Sequence, residues 1–258
     1  MAVFGNKMIP FESAITFDVD YQAILDYATT QGYTLPSPGQ QIKQNTLLSS
    51  LKTLGIWGKL DSFANFATDG NSNFALIDWK NLTQYTAVNS PTFTSNVGFL
   101  TNGTNSYINT NKAPGPNFIL NSASEFKWVN NNIDTSGGSI VSGARSTSAT
   151  ANLYEVTAIA LFVNSNISLT FSANTLAGFR HINRPNSTQA QRFVNGVGLT
   201  GTQASTVVVN RIPFIGALNN GSAVFFESNS FSIYGFGGDL SAEATDFYNA
   251  INTYITSL

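Results

Sequence analysis

The closing stretch of the chain constrains it most. Ser230-Phe231-Ser232-Ile233-Tyr234-Gly235-Phe236 alternates along its length, the period of an extended strand with two distinct faces. The simple alternation puts Phe231, Ile233 and Gly235 on one face and Ser232, Tyr234 and Phe236 on the other. Gly237-Gly238 breaks the pattern. Ser241 is then expected to cap a helix, with Glu243 in the first turn, where the helix dipole favours an anion. Ala244, Phe247, Tyr248, Ile251, Ile255 and Leu258 follow at helical spacing, which predicts a helix over 241–257. A chain that ends this way is expected to be a β-rich body with one amphipathic helix laid on it.

The first 60 residues read differently from the rest. Tyr21, Ile24, Leu25 and Ala28 are spaced i, i+3, i+4, i+7, with Gly32 just beyond. This predicts a short helix with Asp20 near its N-cap. The acidic pair Asp18 and Asp20 reads as capping. Pro36-Ser37-Pro38-Gly39 is a turn. A second helix is expected from Gln40 to Leu54, with Leu47, Leu51 and Leu54 on one face and Gly55 as its stop. Helices this short are marginal alone, so their apolar stripes need a partner: the β body or a neighbouring subunit. The expected organisation is a helical segment over 1–60 that anchors or packs, followed by a sandwich over 61–258.

From Leu60 onward strands and turns dominate. Extended candidates are Ser62 to Ala67, Phe74 to Trp79, Tyr85 to Val88, Glu125 to Val129, Gly138 to Ser142 and Leu153 to Phe162. Ile167 to Phe171, Val207 to Val209, Arg211 to Ala217 and Val224 to Phe226 continue the series. Strands at this density without intervening helices predict an antiparallel β-sandwich.

The chain has 258 residues and no cysteine, and charged residues make up only 10% of it, against roughly 25% in an average domain. Disulfides, thiolate metal sites and cysteine nucleophiles are excluded. The surface must be covered mainly by Asn, Ser, Thr and Gly, a neutral hydrogen-bonding skin. No basic run appears, so nucleic acid is not an expected partner. No apolar stretch approaches the roughly 18 residues of a membrane span, and the first residues lack a secretory pattern.

Val97-Gly98-Phe99-Leu100-Thr101-Asn102-Gly103-Thr104-Asn105-Ser106-Tyr107-Ile108-Asn109-Thr110 resembles the G-F-x-x-N-G-T-x-S-Y-I-x-T stretch of laminin-G-like, concanavalin A-like jelly rolls. Its sense is a Gly kink, a tight turn at Asn102-Gly103, and a strand burying Tyr107 or Ile108. Phe225 to Ile255 looks like the closing strand and helix of that superfamily, although Glu243 falls one residue early for its L-S-x-x-E pattern. Gly55 to Asp61, Phe66 to Gly70 and Ile77 to Lys80 are similar to virion proteins of bacteriophages infecting Bacteroidetes-type hosts. The resemblance implies a mainly β fold, a concanavalin A-like jelly roll with an N-terminal helical segment and a C-terminal helix.

The chemistry-bearing residues are few. His181, the only histidine, lies between Arg180 and Arg184. It reads either as a general base in a lyase-like groove or, more plainly, as a packed strand histidine. Glycosidases need two carboxylates roughly 5 Å or 6.5–9.5 Å apart, and the acids here are scattered: Glu125, Asp134, Glu155, Glu227 and Asp239. Asp69, Asn71 and Asn73 mimic the start of a calcium loop. Phe74 and Lys80 stand where that motif needs Gly and Glu, so an ordinary turn competes with the cation reading. Trp128, followed by Asn130, Asn131 and Asn132, is the best candidate for an exposed ring with hydrogen-bonding neighbours, as in a lectin.

The expectation is a non-enzymatic virion structural protein without a required cofactor: capsid decoration, head fibre or spike, or tail adhesin. It would be exposed on the particle and assembled with other virion proteins, as a homo-oligomer, with a trimer expected by analogy with such projections. The alternative is a lectin module for host glycans; a polysaccharide lyase or hydrolase ranks behind both.

Overall fold

Asp18 accepts a hydrogen bond from the Asp20 N–H at 2.9 Å and so caps the first helix, α1 (Val19–Thr30). Asp20, the expected cap, instead sits in the first turn, where its carboxylate accepts from the Trp57 indole at 2.9 Å and pairs with Lys52 at 3.0 Å. The second helix, α2 (Pro38–Thr53), starts two residues earlier than expected, because Ser37 is its cap and Pro38 suits the first helical position. Each helix ends on a left-handed glycine, Gly32 and Gly55. In each case the next residue's N–H reaches back to the helix, Tyr33 to Ala28 and Ile56 to Leu51, both at 2.9 Å. These statements come from a computed structural model that describes residues 16–132, 140–146, 152–156, 160–174 and 176–258.

Two sheets stack as a sandwich. The front sheet runs Val197–Thr202, Gln189–Val194, Gly178–Arg184, Ala123–Val129, Ser230–Gly237, Gly98–Leu100, Thr92–Thr94, all antiparallel. Leu60–Asn65 pairs with the later part of Ser230–Gly237. The back sheet runs Leu169–Thr170, Ala160–Ser165, Asn152–Val156, Ile140–Arg145, Phe214–Ile215, Tyr107–Asn109, Thr86–Val88. A small hairpin, Leu218–Asn219 with Ala223–Val224, lies parallel to Ile140–Arg145. The mainly β antiparallel sandwich expected from the sequence is therefore present.

Two cores share the front sheet. Between the sheets lie Phe99, Ile108, Val129, Leu153, Leu161, Val163, Ile182, Ile215, Phe231, Tyr234 and Phe236. On the outer face of the front sheet, Phe63, Phe126, Phe179 and Ile233 meet Tyr21, Ile24, Leu47, Leu51, Phe247 and Ile251 from the helices. The partner of the N-terminal helices is thus the β body. Leu54 is only half-buried.

The final strand departs from simple alternation. Its register against Ala123–Val129 shifts between Phe231 and Ile233. This bulge puts Phe231 in phase with Tyr234 and Phe236 inside the sandwich and turns Ile233 to the helices. The C-terminal helix, α4, is Ala244–Thr256, shorter than 241–257. Ser241 does not cap it. The Ser241 N–H donates to Asp239 at 2.9 Å in a preceding turn, and Glu243 pairs with Lys59 at 2.7 Å.

Three further expectations are corrected. Phe74 and Ala75 lie in a single helical turn, α3 (Ser72–Ala75), capped by Asn71, so only Ile77–Asp78 is extended there. Val207 to Val209 form a loop that buries Val209 alone, and of Arg211 to Ala217 only Phe214–Ile215 is a strand. Within the stretches that resemble virion proteins, Asp61 and Asp78 tie neighbouring segments to the Leu60–Asn65 strand. The Asp61 carboxylate accepts the N–H groups of Gly115, Asn117 and Phe118 at 2.8–3.1 Å, and Asp78 accepts the Ser62 hydroxyl at 2.6 Å.

The Gly98 kink is enforced by contact. Its φ is +112°, and a Cβ there would lie 2.0 Å from the carbonyl oxygen of Phe231. Asn102 then accepts from the N–H groups of Thr104, Asn105 and Ser106, and Ile108 is the buried residue of the following strand while Tyr107 is half-buried. Gly98→Ala is expected to cost at least about 3 kcal/mol through combined strain and clash, read as a lower urea midpoint with an unchanged slope.

Candidate functional site

A cavity of about 300 Å³ opens where three elements meet: the end of the Ala123–Val129 strand, the turn after Gln189–Val194, and the middle of α4. It lies at the small end of the roughly 300–1,000 Å³ range of ligand clefts. Trp128 and Asn130 line one side, Ala177 and Gly178 form a rim, and Asn195, Tyr248 and Asn252 close the other.

Local sequence explains each placement. Trp128 projects from its strand toward the helices because its neighbours Lys127 and Val129 face the sandwich interior. Asn195-Gly196 is a two-residue hairpin turn with φ +50° and +77°, the paired left-handed geometry of a type I′ turn. Gly196 lies so close to the Tyr248 ring that a Cβ would sit 3.0 Å from Cδ1. The hairpin thereby seats one aromatic wall, and Asn252 follows one turn later on the same helix.

The polar groups divide into two kinds. Asn130 is committed to the fold: its Nδ2 donates to the Val97 carbonyl at 3.2 Å and to Ser230 Oγ at 2.9 Å, and its Oδ1 accepts from Ser232 at 2.9 Å. Asn195 Oδ1 accepts from the Phe179 N–H at 2.8 Å. In contrast, the Trp128 indole N–H, the Tyr248 hydroxyl and the Asn252 amide have no hydrogen-bond partner among the described residues, and all three side chains are half-buried. Two rings and three unspent polar groups therefore face one small cavity. Among the described residues, no lysine, arginine or carboxylate lines it.

The other residues singled out from the sequence are spread apart. Asn131 accepts from the Ser230 N–H and donates to Asn229, both at 2.8 Å, while Asn132 accepts from the Ala177 N–H at 2.9 Å. Both brace the rim rather than line the cavity. Asp69 accepts from the Ser37 N–H at 2.9 Å beside the start of α2, and Asn71 caps the Phe74 N–H at 2.9 Å. Asn73 uses its backbone carbonyl, which accepts from Gln84 at 3.4 Å. Among the described residues, no group of three or more His, Cys, Asp or Glu side chains is placed to hold a metal ion. Asp134 lies outside the described residues.

His181 does not meet its flanking arginines. It faces α4, stacked on Phe193 at 5.2 Å, with Phe179 and Phe247 beside it, and neither ring nitrogen has a hydrogen-bond partner. Strand alternation sends Arg180 and Arg184 to the opposite face. There Arg180 forms a bidentate pair with Glu155 (Nε to Oε2, 2.9 Å), and Arg192 lies 3.9 Å from the same carboxylate. Glu125 accepts from Ser142 at 2.6 Å, Tyr234 at 2.9 Å and Lys127 at 3.3 Å. Arg184 spends its guanidinium on the carbonyls of Val163, Asn186, Gln189 and Gln203. These ions are fully buried between the sheets.

A larger groove of about 720 Å³ runs between α2 and α4. Its one aromatic, Tyr254, turns its hydroxyl inward, donating to the Ala67 carbonyl at 2.5 Å and accepting from Asn65 at 2.8 Å. It offers one aromatic ring where the smaller cavity offers two.

No family model matches the chain, and no curated protein matches it. Among solved structures, the chain is similar to a mutant Trypanosoma rangeli sialidase displaying trans-sialidase activity. The identity is 11%, with 91% of this chain and 39% of that chain covered, and the TM-score is 0.54. It is also similar to the receptor binding domain of botulinum neurotoxin C/D mosaic serotype, at 12% identity over 75% of this chain and 52% of that one, TM-score 0.51. The ligand binding domain of botulinum neurotoxin serotype D, solved in complex with N-acetylneuraminic acid, gives 13%, 78% and 52%, with TM-score 0.50. The chain spans about half the length of these toxin structures and 39% of the sialidase. These likenesses establish a shared β-sandwich fold.

Burial lowers the His181 pKa from 6.5 to about 4, opposed in part by Asn183 and Asp239 and reinforced by Lys127. The unfolded chain therefore takes up a proton below about pH 6.5 that the folded chain refuses until about pH 4. Stability is expected to fall across that window by up to about 3 kcal/mol. Burial also penalises the Glu155 carboxylate, but Arg180, Lys127 and Arg192 outweigh it and hold the pKa below 4.5. The stability it supplies is complete above that value and is lost only at more acid pH. Denaturation midpoints between pH 7 and pH 4.5 should therefore drop for the native chain and stay level for His181→Phe.

Proposed function

We propose that this chain is a non-catalytic glycan-binding module whose sugar subsite is the Trp128–Tyr248 cavity. One observation carries the reading: two half-buried rings share a small cavity with an indole N–H, a phenol and an amide that the fold leaves unpaired. Aromatic faces pack on the C–H surface of a sugar ring, while sparse polar groups fix its hydroxyls. The structural likeness to a toxin domain that holds N-acetylneuraminic acid supports the same reading. The lining has no cation to pair with a carboxylate, so an uncharged sugar fits it better than a sialic acid. The burial of His181 and the confinement of Glu125 and Glu155 to the sandwich interior support a binding role over lyase or hydrolase chemistry.

A second reading concerns the setting of the module. The motif resemblance around Gly55–Asp61 and the nearly uncharged exterior favour a component of a bacteriophage virion, displayed on the particle as a decoration, fibre or tail adhesin. The laminin-G-like name belongs to that finer reading. Mass spectrometry of purified particles tests it, and particles lacking the chain would refute it.

Binding is measured on an array of neutral and acidic glycans, then by calorimetry on the best ligand. Trp128→Ala is expected to weaken binding at least about tenfold, the loss of one central aromatic anchor. Tyr248→Phe keeps the ring and removes one hydrogen bond, worth about 0.5–1.5 kcal/mol, so a loss of a few-fold is expected at unchanged thermal stability. An array without a hit, or binding indifferent to both substitutions, would sink the proposal.

A further inference from the structure

Along their main strand orders, the front and back sheets end in four edge strands among the described residues. Three are blunted by shortness: Thr92–Thr94, Thr86–Val88 and Leu169–Thr170. The fourth, Val197–Thr202, is six residues long. Its register against Gln189–Val194 is unbroken, so it carries no bulge. It has no charge and no proline, and Val197 is 74% and Leu199 48% exposed. Among the described residues, no backbone hydrogen bond reaches this strand from any element except Gln189–Val194. Natural sheets protect such an edge with charges, prolines, bulges or a cover. Among the described residues none of these devices is present.

We infer that Val197–Thr202 pairs with the same strand of a second copy, antiparallel about a two-fold axis, joining two front sheets into one. The backbone fixes the register. Val194 and Val197 flank a two-residue turn and face each other, so they form a hydrogen-bonded pair. Alternation then directs the N–H and C=O groups of Val197, Leu199 and Gly201 inward and those of Gly198, Thr200 and Thr202 outward. Centring the axis on Thr200 matches every outward group. Thr200 faces Thr200 of the partner subunit, and Gly198 faces Thr202 of the partner subunit on each side. Centring on Leu199 would satisfy fewer.

The side chains agree with this register. Leu199 falls opposite Gly201 of the partner subunit, on the face where Leu169 packs over that glycine, so apolar side chains meet there twice by symmetry. A two-fold interface must be self-complementary, and a strand with no charge brings no like-charge repulsion across the axis. Such pairing closes at two copies, not at the three suggested by analogy with viral projections.

The full-length chain is tested by light scattering after gel filtration and by cross-linking. The native chain is expected to have twice its monomer mass at micromolar concentration. Thr200→Pro removes one outward N–H and no internal bond, and should halve that mass with an unchanged circular dichroism spectrum. Leu199→Lys should do the same by placing a charge at the joint, and serves if the proline variant misfolds. Facing residues of a hydrogen-bonded pair have Cα atoms about 5.5 Å apart, within the roughly 4.4–6.8 Å reach of a disulfide. The chain has no native cysteine, so Thr200→Cys should oxidise to a covalent dimer, while Thr104→Cys on a distant exposed turn should not. A monomeric native chain at all concentrations, or a dimer that survives both Thr200→Pro and Leu199→Lys, overturns the inference.

Discussion

The strand Ser230–Gly237 is buried on both faces, and both hydrophobic cores close on it. Toward the back sheet it contributes Phe231, Tyr234 and Phe236; toward the helices it contributes Ile233. A strictly alternating strand could not place Phe231 and Tyr234 on one side. The bulge between Phe231 and Ile233 makes the change of phase. Ser232, at that point, accepts two backbone N–H groups on its carbonyl, from Phe66 and Ala67, and its hydroxyl donates to Val97 and Asn130. The chain's earliest strand, its Gly98 turn and the Asn130 wall of the cavity are therefore all tied to a single residue of the closing strand.

The charges tell a related story. A composition poor in charge suggests a neutral exterior, but the structure goes further by placing Glu125, Lys127, Glu155, Arg180, Arg184 and Arg192 inside. Ions buried in this way gain little net stability over apolar residues of the same size, while removal of one partner is costly, about 3–5 kcal/mol. Their geometric demands are strict. Glu155 from the back sheet must meet Arg180 from the front sheet, and Glu125 must meet Ser142 across the same gap. These pairings fix how one sheet is set over the other. They also account for residues that resemble catalytic groups in the sequence and have no access to a substrate.

Much of the architecture was legible in the sequence, and the failures have physical causes. Helical spacing found Tyr21, Ile24, Leu25 and Ala28, and the Leu47/Leu51 stripe, because those helices bury one face only. The strands at 189–202 were missed. One of them is half-polar and the other is a bare edge, so neither shows strong apolar alternation, although Val194-Asn195-Gly196-Val197 carries the Asn-Gly hairpin signal. Val207 to Val209 looked like a strand through propensity alone, yet no neighbouring strand offers it a ladder. At the candidate site, Trp128 and Asn130 were legible because a ring followed by a polar run stands out locally. Tyr248 and Asn252 were not, because they reach the cavity from a helix whose spacing marks Tyr248 as core. Only the packing of that helix, held by Phe247 against Phe126 and Phe179, reveals that the adjacent position looks into an opening.

The same helix links the outer core to the cavity. Phe247 seals the outer core, and the next residue, Tyr248, forms a wall of the cavity; the hairpin glycine Gly196 sets that ring's position. Both ring walls are therefore carried by regular elements, Trp128 by a central strand and Tyr248 by a packed helix. A site built on such supports loses little freedom when a ligand arrives, and this matters for a small cavity, where few contacts must offset the cost of association. The edge strand Val197–Thr202 leaves the same Asn195-Gly196 turn that closes the cavity. Covering that edge with a second copy would place two cavities at the two ends of one joint. If the cavity binds a sugar as proposed, weak attachment to one would then become multivalent attachment to a surface that presents many.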